Sequence, residues 1–295
     1  MSATLSAPRA AEFDLASDHS AAARQRRATS DVVEAAALWR LIRTLGWLDI
    51  KLRYRGSVLG PFWLTISTAT MVASLGIVYS TLFHQDMHTY LPFLTVSLVI
   101  WGFISGAVTD ACTCFLQAEG TIRSMRMPFT VHAARVVVRN VLMLAHNALV
   151  IIGVFIFYTI WPGASGLAAI PGFALWIVDA FAVCLLLGCF CARFRDIPPI
   201  VTSVLQIVFF VSPIVWQPSQ LGKHAGWLIY NPFFSLLEIV RAPLLGHIPG
   251  PVIWLAAIGF SALLWLMSWV LFVRVRGRIA FWIAPIRGSR PSWRT

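Results

Sequence analysis

Apolar residues occur along this chain in long, unbroken runs that are separated by short polar stretches. Six runs are long enough to cross a bilayer, because about 20 apolar residues in a helix span a hydrocarbon core of about 30 Å with every backbone polar group satisfied internally. The runs cover residues 62–83, 90–115, 138–160, 167–192, 199–216 and 252–273. The pattern predicts an all-α integral membrane protein whose domain of six transmembrane helices covers residues 62–273.

The residues before the first span follow a different pattern. Between residues 35 and 52, apolar side chains recur on one helical face and polar ones on the other, which predicts an amphipathic helix on the membrane surface, within a segment 35–61. An ordinary connecting helix remains an alternative. Asp49 interrupts the apolar face, so this end of the helix is expected to contact protein rather than lipid. Residues 1–34 are rich in Ala, Ser and Arg and predict a flexible cytoplasmic tail.

The basic residues are distributed very unevenly between the two sides of the predicted bundle. Of the 23 Lys and Arg residues, only Lys223 and Arg241 fall outside the segments that lie on the same side as both termini. By the positive-inside rule this side is cytoplasmic. We therefore expect a multi-pass membrane protein with both termini in the cytoplasm, and a basic cytoplasmic tail at residues 274–295.

The connection between spans five and six, residues 217–250, is too apolar for an ordinary loop and too interrupted for two crossings. It predicts short re-entrant helices that are buried against protein. Glu238 and Arg241 are three residues apart, a spacing at which they can pair on one helix face. That pair is compatible either with a local surface cap or with a gate.

The composition excludes a water-soluble protein, since 58% of the residues are hydrophobic and only 12% are charged. The net charge of +11 is therefore expected to face lipid head groups rather than nucleic acid. The five cysteines lie in or at the ends of apolar runs and are predicted to be buried thiols, and no spacing typical of a metal site occurs.

The sequence carries none of the usual catalytic signatures. It lacks a phosphate-binding G-x-x-x-x-G-K-[ST] loop, a G-x-S-x-G elbow and an H-E-x-x-H pair, so no enzyme activity or bound cofactor is predicted and any ATP is hydrolysed on another chain. The ionisable residues inside the spans are Asp110, Arg139, His146 and Asp179. An ion-coupled transporter would depend on Asp179, and a membrane-embedded glycosyl or acyl transferase would need Asp110 or His146 as its acid or base.

Three motifs, in order, resemble those of a known family. They are DIKLRYRGSVLGPFW at residues 49–63, FRDI at 194–197 leading into FFVSPIVW at 209–216, and YNPF at 230–233 followed by EIVR at 238–241. Over residues 35–278 the chain resembles the membrane subunits of type-2 ABC exporters that move polysaccharides, such as O-antigen, capsule and teichoic acid exporters. The resemblance implies a permease subunit, in the bacterial cytoplasmic (inner) membrane, for a lipid-linked, O-antigen-like polysaccharide. A drug or small-lipid exporter of the same superfamily remains an alternative.

The resemblance also implies partners and site residues. It implies a homodimer above two copies of a cytoplasmic ATPase that hold the ATP and Mg²⁺. The segment between spans two and three would dock into that ATPase, with Glu119, Ile122, Arg123 and Arg126 as contacts. This chain has Met127 where the family usually has Phe before the proline.

The segment before the first span resembles a gate helix at which the lipid-linked sugar chain enters. Arg53, Tyr54 and Arg55 are the candidate contacts there, because guanidinium groups fork onto the oxygens of a lipid diphosphate. Anchoring to anionic membrane lipids is an equally good explanation of these charges.

A polymer passage must bind sugars weakly and repeatedly, which favours uncharged polar walls. Spans one and five contain hydroxyl and amide side chains but no ionisable side chain. The predicted lining residues are Thr65, Thr68, Tyr79, Ser203 and Gln206. The predicted outer gate comprises Asn231, Phe233, Glu238 and Arg241.

Overall fold

The computed structural model describes residues 20–55, 60 and 62–283. Every regular element within these ranges is helical. The α-helices are α1 (Ala21–Ala37), α2 (Trp39–Arg53), α3 (Phe62–Leu82), α4 (Met87–Gln117), α5 (Glu119–Ser124), α6 (Phe129–Phe157), α7 (Ala169–Arg193), α8 (Ile197–Val211), α9 (Pro232–Leu244), α10 (Pro251–Val275) and α11 (Ile279–Ile283). Short 3-10 segments cover Gly163–Ala168, Pro218–Tyr230 and Arg276–Arg278.

Among the described residues, five helical stretches are long and apolar enough to cross a membrane, which makes this a multi-pass membrane protein. They are Phe62–Leu82, Met87–Ser124, Phe129–Phe157, Gly163–Arg193 and Pro251–Ile283, and they correspond to five of the six predicted spans. The remaining predicted span, 199–216, is the 15-residue helix α8. At 1.5 Å per residue it is about 22 Å long, which is shorter than the hydrocarbon core of about 30 Å.

Helix α8 ends early for a local reason. Ser212 leaves the helix with φ −85° and ψ 145°, and it precedes Pro213. A residue before proline is driven into the extended region by a clash with the proline ring. The apolar run therefore continues to Trp216 while the helix stops at Val211.

Helix α4 forms the centre of the bundle. It packs against α3, α6, α7, α8 and α9, and its side chains are buried along most of its length. Glycines permit close approaches to α4: a Cβ atom added at Gly188 of α7 would lie 2.9 Å from the Phe115 ring, and one added at Gly76 of α3 would clash with Leu91. The outer helices are more exposed, and α3 buries only Val72, Gly76 and Ser80.

Within residues 20–55, the chain before the first span forms two helices, α1 and α2. Ser20 caps α1 by accepting the Ala23 N–H at 3.1 Å, and α1 packs on α6 and α10. This differs from the flexible tail predicted for residues 1–34, because Ala28 and Asp31 are buried in tertiary contacts. The predicted amphipathic segment 35–61 breaks at Leu38. Residues 1–19, 56–59, 61 and 284–295, which include parts of both predicted tails and of the first motif, lie outside the described residues.

Helix α2 lies along α6, and only part of its predicted apolar face is turned towards the protein. Ile42, Gly46 and Ile50 face the protein, whereas Leu48 and Leu52 are exposed. A Cβ atom at Gly46 would lie 2.7 Å from Val138 Cγ1, so the two helices touch through a glycine. The exposed side chains of Leu48 and Leu52 are therefore free to contact molecules outside this chain.

Candidate functional site

A groove of about 600 Å³ runs between α3, α4 and α8. Helix α4 forms its floor, and α3 and α8 form its walls. Its polar lining consists of hydroxyls and one amide, from Thr68, Ser105, Thr109, Thr202 and Gln206. No ionisable side chain lines it among the described residues. The groove therefore offers hydrogen bonds to a neutral polar ligand without a charged group that would hold it tightly.

The structure brings two of the five predicted lining residues, Thr68 and Gln206, into this groove. The other three are engaged elsewhere. The Thr65 hydroxyl donates to the carbonyl oxygen of His146 at 3.3 Å. Tyr79 stacks on Phe83, with ring centroids 5.4 Å apart. The Ser203 hydroxyl donates to the backbone of its own helix, and Ser203 does not line the groove.

The floor of the groove was missed in the sequence. Gly102, Ser105 and Thr109 follow one another at spacings of three and four residues, which puts small and polar side chains on one face of α4. A Cβ atom added at Gly102 would meet no atom within 4 Å, so space stands open above the floor. The sequence feature that could have identified this floor is a stripe of small or polar residues inside an otherwise apolar span.

Aromatic rings cluster towards the end of the groove that is far from α5. Trp101 lies between two phenylalanines, with its centroid 6.0 Å from Phe209 and 5.9 Å from Phe233. Asn231 positions Phe233, because its side-chain oxygen accepts the Phe233 N–H at 3.0 Å and so caps α9. The Asn231 amide also donates to the Ser212 hydroxyl at 2.9 Å, which ties the start of α9 to the end of α8.

The predicted pair of Glu238 and Arg241 is present, but it is not a surface cap. Arg241 is almost fully buried, and its Nε donates to Glu238 at 3.0 Å. Another guanidinium nitrogen donates to the Ser97 hydroxyl of α4 at 3.0 Å and to the carbonyl of Pro213. The guanidinium carbon also lies 4.5 Å from the centroid of Phe93. Arg241 thus joins α9, α4 and the turn after α8.

A network of charges connects α2, α4 and α6 near the opposite end. Arg135 makes a two-pronged contact with Asp49, which explains why an acid interrupts the apolar face of α2. Arg139 lies 2.8 Å from Asp110 and 3.6 Å from Asp49, so it bridges the two carboxylates. Asn140 donates to Asp110 at 3.0 Å. The prediction that Asp49 contacts protein is confirmed.

Arg53, one of the predicted substrate contacts, lies at the exposed edge of this network. Its guanidinium is 3.5 Å from Asp110, and its side chain is 41% exposed. Three guanidinium groups share two carboxylates here, so one positive charge is left uncompensated within the network. Tyr54 is half-buried at the end of α2, and Arg55 is exposed.

The predicted coupling residues lie on and beside the short helix α5. Glu119 and Arg123 pair at 3.0 Å on its surface, and Arg126 is exposed just after it. Ile122 is buried in the same apolar cluster as Ile279 and Ile283 of α11. Of the four predicted contacts, Ile122 therefore anchors the segment inside this chain, and the other three remain at the surface.

Asp31, which lies in the segment predicted to be a flexible tail, is buried against the start of α6, the helix that follows α5. Asp31 accepts the N–H groups of Phe129 at 3.3 Å and Thr130 at 3.0 Å, together with the Thr130 hydroxyl at 2.6 Å. Arg276, just after α10, lies 2.6 Å from the same carboxylate. Asp31 therefore caps α6 and joins α1 to the end of α10.

Asp179 connects two of the spanning helices. It accepts a hydrogen bond from the Ser261 hydroxyl of α10 at 2.6 Å, and its other oxygen has no hydrogen-bond partner among the described residues. A mainly apolar cavity of about 310 Å³ lies beside it. The five cysteines are free and buried, as predicted. The described ranges contain no cluster of His, Cys, Asp or Glu that could hold a metal ion.

A family model described as "ABC-2 type transporter" matches residues 40–245. The chain belongs to the ABC-2 type transporter family. The match runs from α2 to the residue after α9, so it includes the charge network, the groove and Arg241. The resemblance to the permease subunits of type-2 ABC exporters is thereby confirmed, and neither an ion-coupled secondary transporter nor a transferase is favoured.

Curated relatives point the same way. The O-antigen export system permease protein RfbA of Myxococcus xanthus is 25% identical over 236 residues, which cover 77% of this chain and 90% of that protein. A protein of the same name from Klebsiella pneumoniae is 24% identical over 195 residues, which cover 64% of this ABC-2 chain and 74% of the relative.

Proposed function

We propose that this chain is the permease subunit of an ATP-driven exporter that moves a lipid-linked, O-antigen-like polysaccharide across the bacterial inner membrane. The observation that carries the proposal is the uncharged polar groove between α3, α4 and α8. A growing or advancing sugar chain needs many weak hydrogen bonds that can be exchanged one after another. The relatives, which are named as O-antigen export system permeases, support the same class of cargo.

In this proposal α8 is a sixth crossing, although its helical part is short. An even number of crossings agrees with the positive-inside rule, which puts both termini in the cytoplasm. The helical segments Pro218–Tyr230 and Pro232–Leu244 would then enter and leave the membrane from the outer side as re-entrant elements. Their backbone is protected there, because α9 is buried against α4, α7 and α10.

A second copy of the chain would complete the passage. In one copy the groove is open along the exposed faces of α3 and α8. Ser67, Thr70 and Ser74 of α3 are exposed there, and hydroxyls in the middle of a membrane are more stable against another helix than against lipid. A homodimer that joins two such faces would enclose a channel with polar walls.

Energy would come from two copies of a separate ATPase subunit that carry the ATP and Mg²⁺. The exposed side chains of Arg123 and Arg126, with the partly exposed Glu119, supply charges for docking that subunit. Closure of the ATPases would be passed through α5 to α4 and, through Ile122, to α11.

The cargo would enter beside α2. Its lipid diphosphate would meet Arg53, Tyr54 and Arg55, where the charge network has one uncompensated guanidinium. A diphosphate carries the charge and the acceptor geometry that such a group binds best.

The test is ATP-dependent translocation of lipid-linked polysaccharide into proteoliposomes that contain this chain and its cognate ATPase. We expect translocation only with both subunits and ATP, and translocation without the ATPase would refute the proposal. The double variant Arg53→Ala with Arg55→Ala should lower export and still bind the ATPase. The double variant Glu119→Ala with Arg123→Ala should instead uncouple ATP hydrolysis from export. Lys223→Ala is the control, because Lys223 is exposed and remote from both segments.

A further inference from the structure

A second groove, of about 840 Å³, lies between α2 and the helices α6, α7 and α10. We call it the α2 groove and define it by Trp39, Arg43, Val138, Val178, Phe181 and Trp265 among its lining residues. It shares no lining residue with the groove between α3, α4 and α8. The proposed entry contacts Arg53, Tyr54 and Arg55 do not line it either, so the α2 groove is separate from the residues proposed to contact the cargo.

The walls of the α2 groove are apolar and extend well into the membrane. Val138 follows Phe129, the first residue of α6, by nine positions, which places it about 14 Å along that helix. Val178 lies 15 positions before Arg193 at the end of α7, which is about 22 Å. Since a hydrocarbon core is about 30 Å thick, the groove reaches from one membrane surface to about the middle. This is the depth of one leaflet.

The mouth of the α2 groove is positively charged and aromatic. Arg43 lines it and is exposed, and it forms no ion pair within the part of the chain that the structure describes. No carboxylate appears among the lining residues. Trp39 and Trp47, also at the mouth, are 54% and 55% exposed, as is typical of tryptophans at a membrane interface. One unpaired cation above an apolar groove fits a ligand that has an anionic head and a hydrocarbon tail.

We propose that the α2 groove binds an anionic phospholipid of the adjacent leaflet, with one acyl chain along Val138 and Val178 and the phosphate on Arg43. The guanidinium forms two hydrogen bonds with phosphate oxygens more readily than an ammonium group does. The bound lipid would hold α2 against α6, beside the contact of Gly46 with Val138. The proposal depends only on the location of the chain in a membrane and not on the cargo that it exports.

The test is native mass spectrometry of the detergent-purified full-length chain, titrated with phosphatidylglycerol or with phosphatidylcholine of the same acyl chains. We expect one retained phosphatidylglycerol and weaker retention of phosphatidylcholine. Arg43→Gln should lower the apparent affinity for phosphatidylglycerol about fivefold, the factor expected for one basic residue at an anionic lipid surface. Arg40→Gln is the matched control, because Arg40 is exposed on the same helix and does not line the groove.

A second pair of variants tests the walls of the groove. Val178→Trp should fill the space and lower retention, whereas Ile170→Trp, at an exposed position of α7 outside the groove, should not. Three results would overturn the proposal: equal losses in the two arginine variants, unchanged retention in Val178→Trp, or equal retention of the two phospholipids. Displacement of phosphatidylglycerol by an equimolar long-chain polyprenyl phosphate would also overturn it, since the groove would then belong to a carrier lipid.

Discussion

Replacing Asp31 with alanine tests whether α1 is held against the start of α6 and the end of α10 by this one buried side chain. The Asp31 side chain is fully buried, and it pairs with Arg276 while it accepts two backbone N–H groups and the hydroxyl of Thr130. Removing one partner of a buried ion pair costs about 3–5 kcal/mol, and losing a helix cap costs about 1 kcal/mol. Arg276 is 28% exposed, so water can compensate part of its loss.

We therefore expect a net cost of about 3 kcal/mol in Asp31→Ala, which corresponds to a factor of about 100 in the opening equilibrium. The opening should be local, because α1 is held by contacts with α6 and α10 at this point, while the spanning helices have their own packing. The assay is hydrogen–deuterium exchange of the purified protein. Protection of the amides in Ala21–Ala37 and at the start of α6 should fall about 100-fold, and protection of α4 should not change.

Two further variants make this measurement decisive. Asp31→Asn keeps one acceptor oxygen and loses the charge, so it should give an intermediate loss of protection. Glu34→Ala is the matched control, since Glu34 is an exposed acid on the same helix that accepts a hydrogen bond from Ser30 at 2.6 Å. If the α1 amides of Asp31→Ala exchanged hydrogen at the same rate as those of the wild type or of Glu34→Ala, the assigned link between α1, α6 and α10 would be wrong.

Two other predictions concern substitutions of glycines in the helix bundle. Gly172→Ala should lower the thermal unfolding temperature in detergent through a cost of about 1–3 kcal/mol, because its Cβ would lie 2.7 Å from Val240 Cγ2 and 3.0 Å from the Ile239 carbonyl oxygen. Gly259→Ala, with no atom within 4 Å, should cause no loss, and equal unfolding temperatures would contradict the packing of α7 on α9. Gly102→Leu should fill the groove and lower polysaccharide export in cells several-fold without lowering the unfolding temperature, whereas Gly259→Leu should leave export unchanged. Normal export in Gly102→Leu would exclude this groove as the passage.

Most of the spanning helices could be predicted from the sequence, because an apolar run of sufficient length has few alternatives in a bilayer. Helix α8 shows the limit of that argument. Hydropathy extended it to Trp216, whereas the Ser212-Pro213 dipeptide ends it at Val211. The end of α8 is set by the backbone preference of the residue before proline and not by the hydrophobicity of the run.

The functional residues were predictable only where their chemistry contrasts with their surroundings. Thr68 and Gln206 stand out as polar groups in apolar spans, and both line the groove. Asp31 did not stand out, because an acid in a polar, alanine-rich segment resembles any solvent-exposed residue. Its burial depends on Thr130 and Arg276, which are distant in sequence and approach only in the folded chain.

The hydrogen bonds that hold the two walls of the groove in place differ in strength. The wall formed by α8 is followed by a turn whose Pro213 carbonyl binds the buried charge of Arg241, and hydrogen bonds to charged groups contribute about 1.5–3 kcal/mol. The opposite wall, α3, is tied to α6 by the hydroxyls of Thr65 and Thr68, at about 0.5–1.5 kcal/mol each. When a bulky passenger widens the groove, its hydrogen bonds therefore resist more strongly at the turn after α8 than along α3.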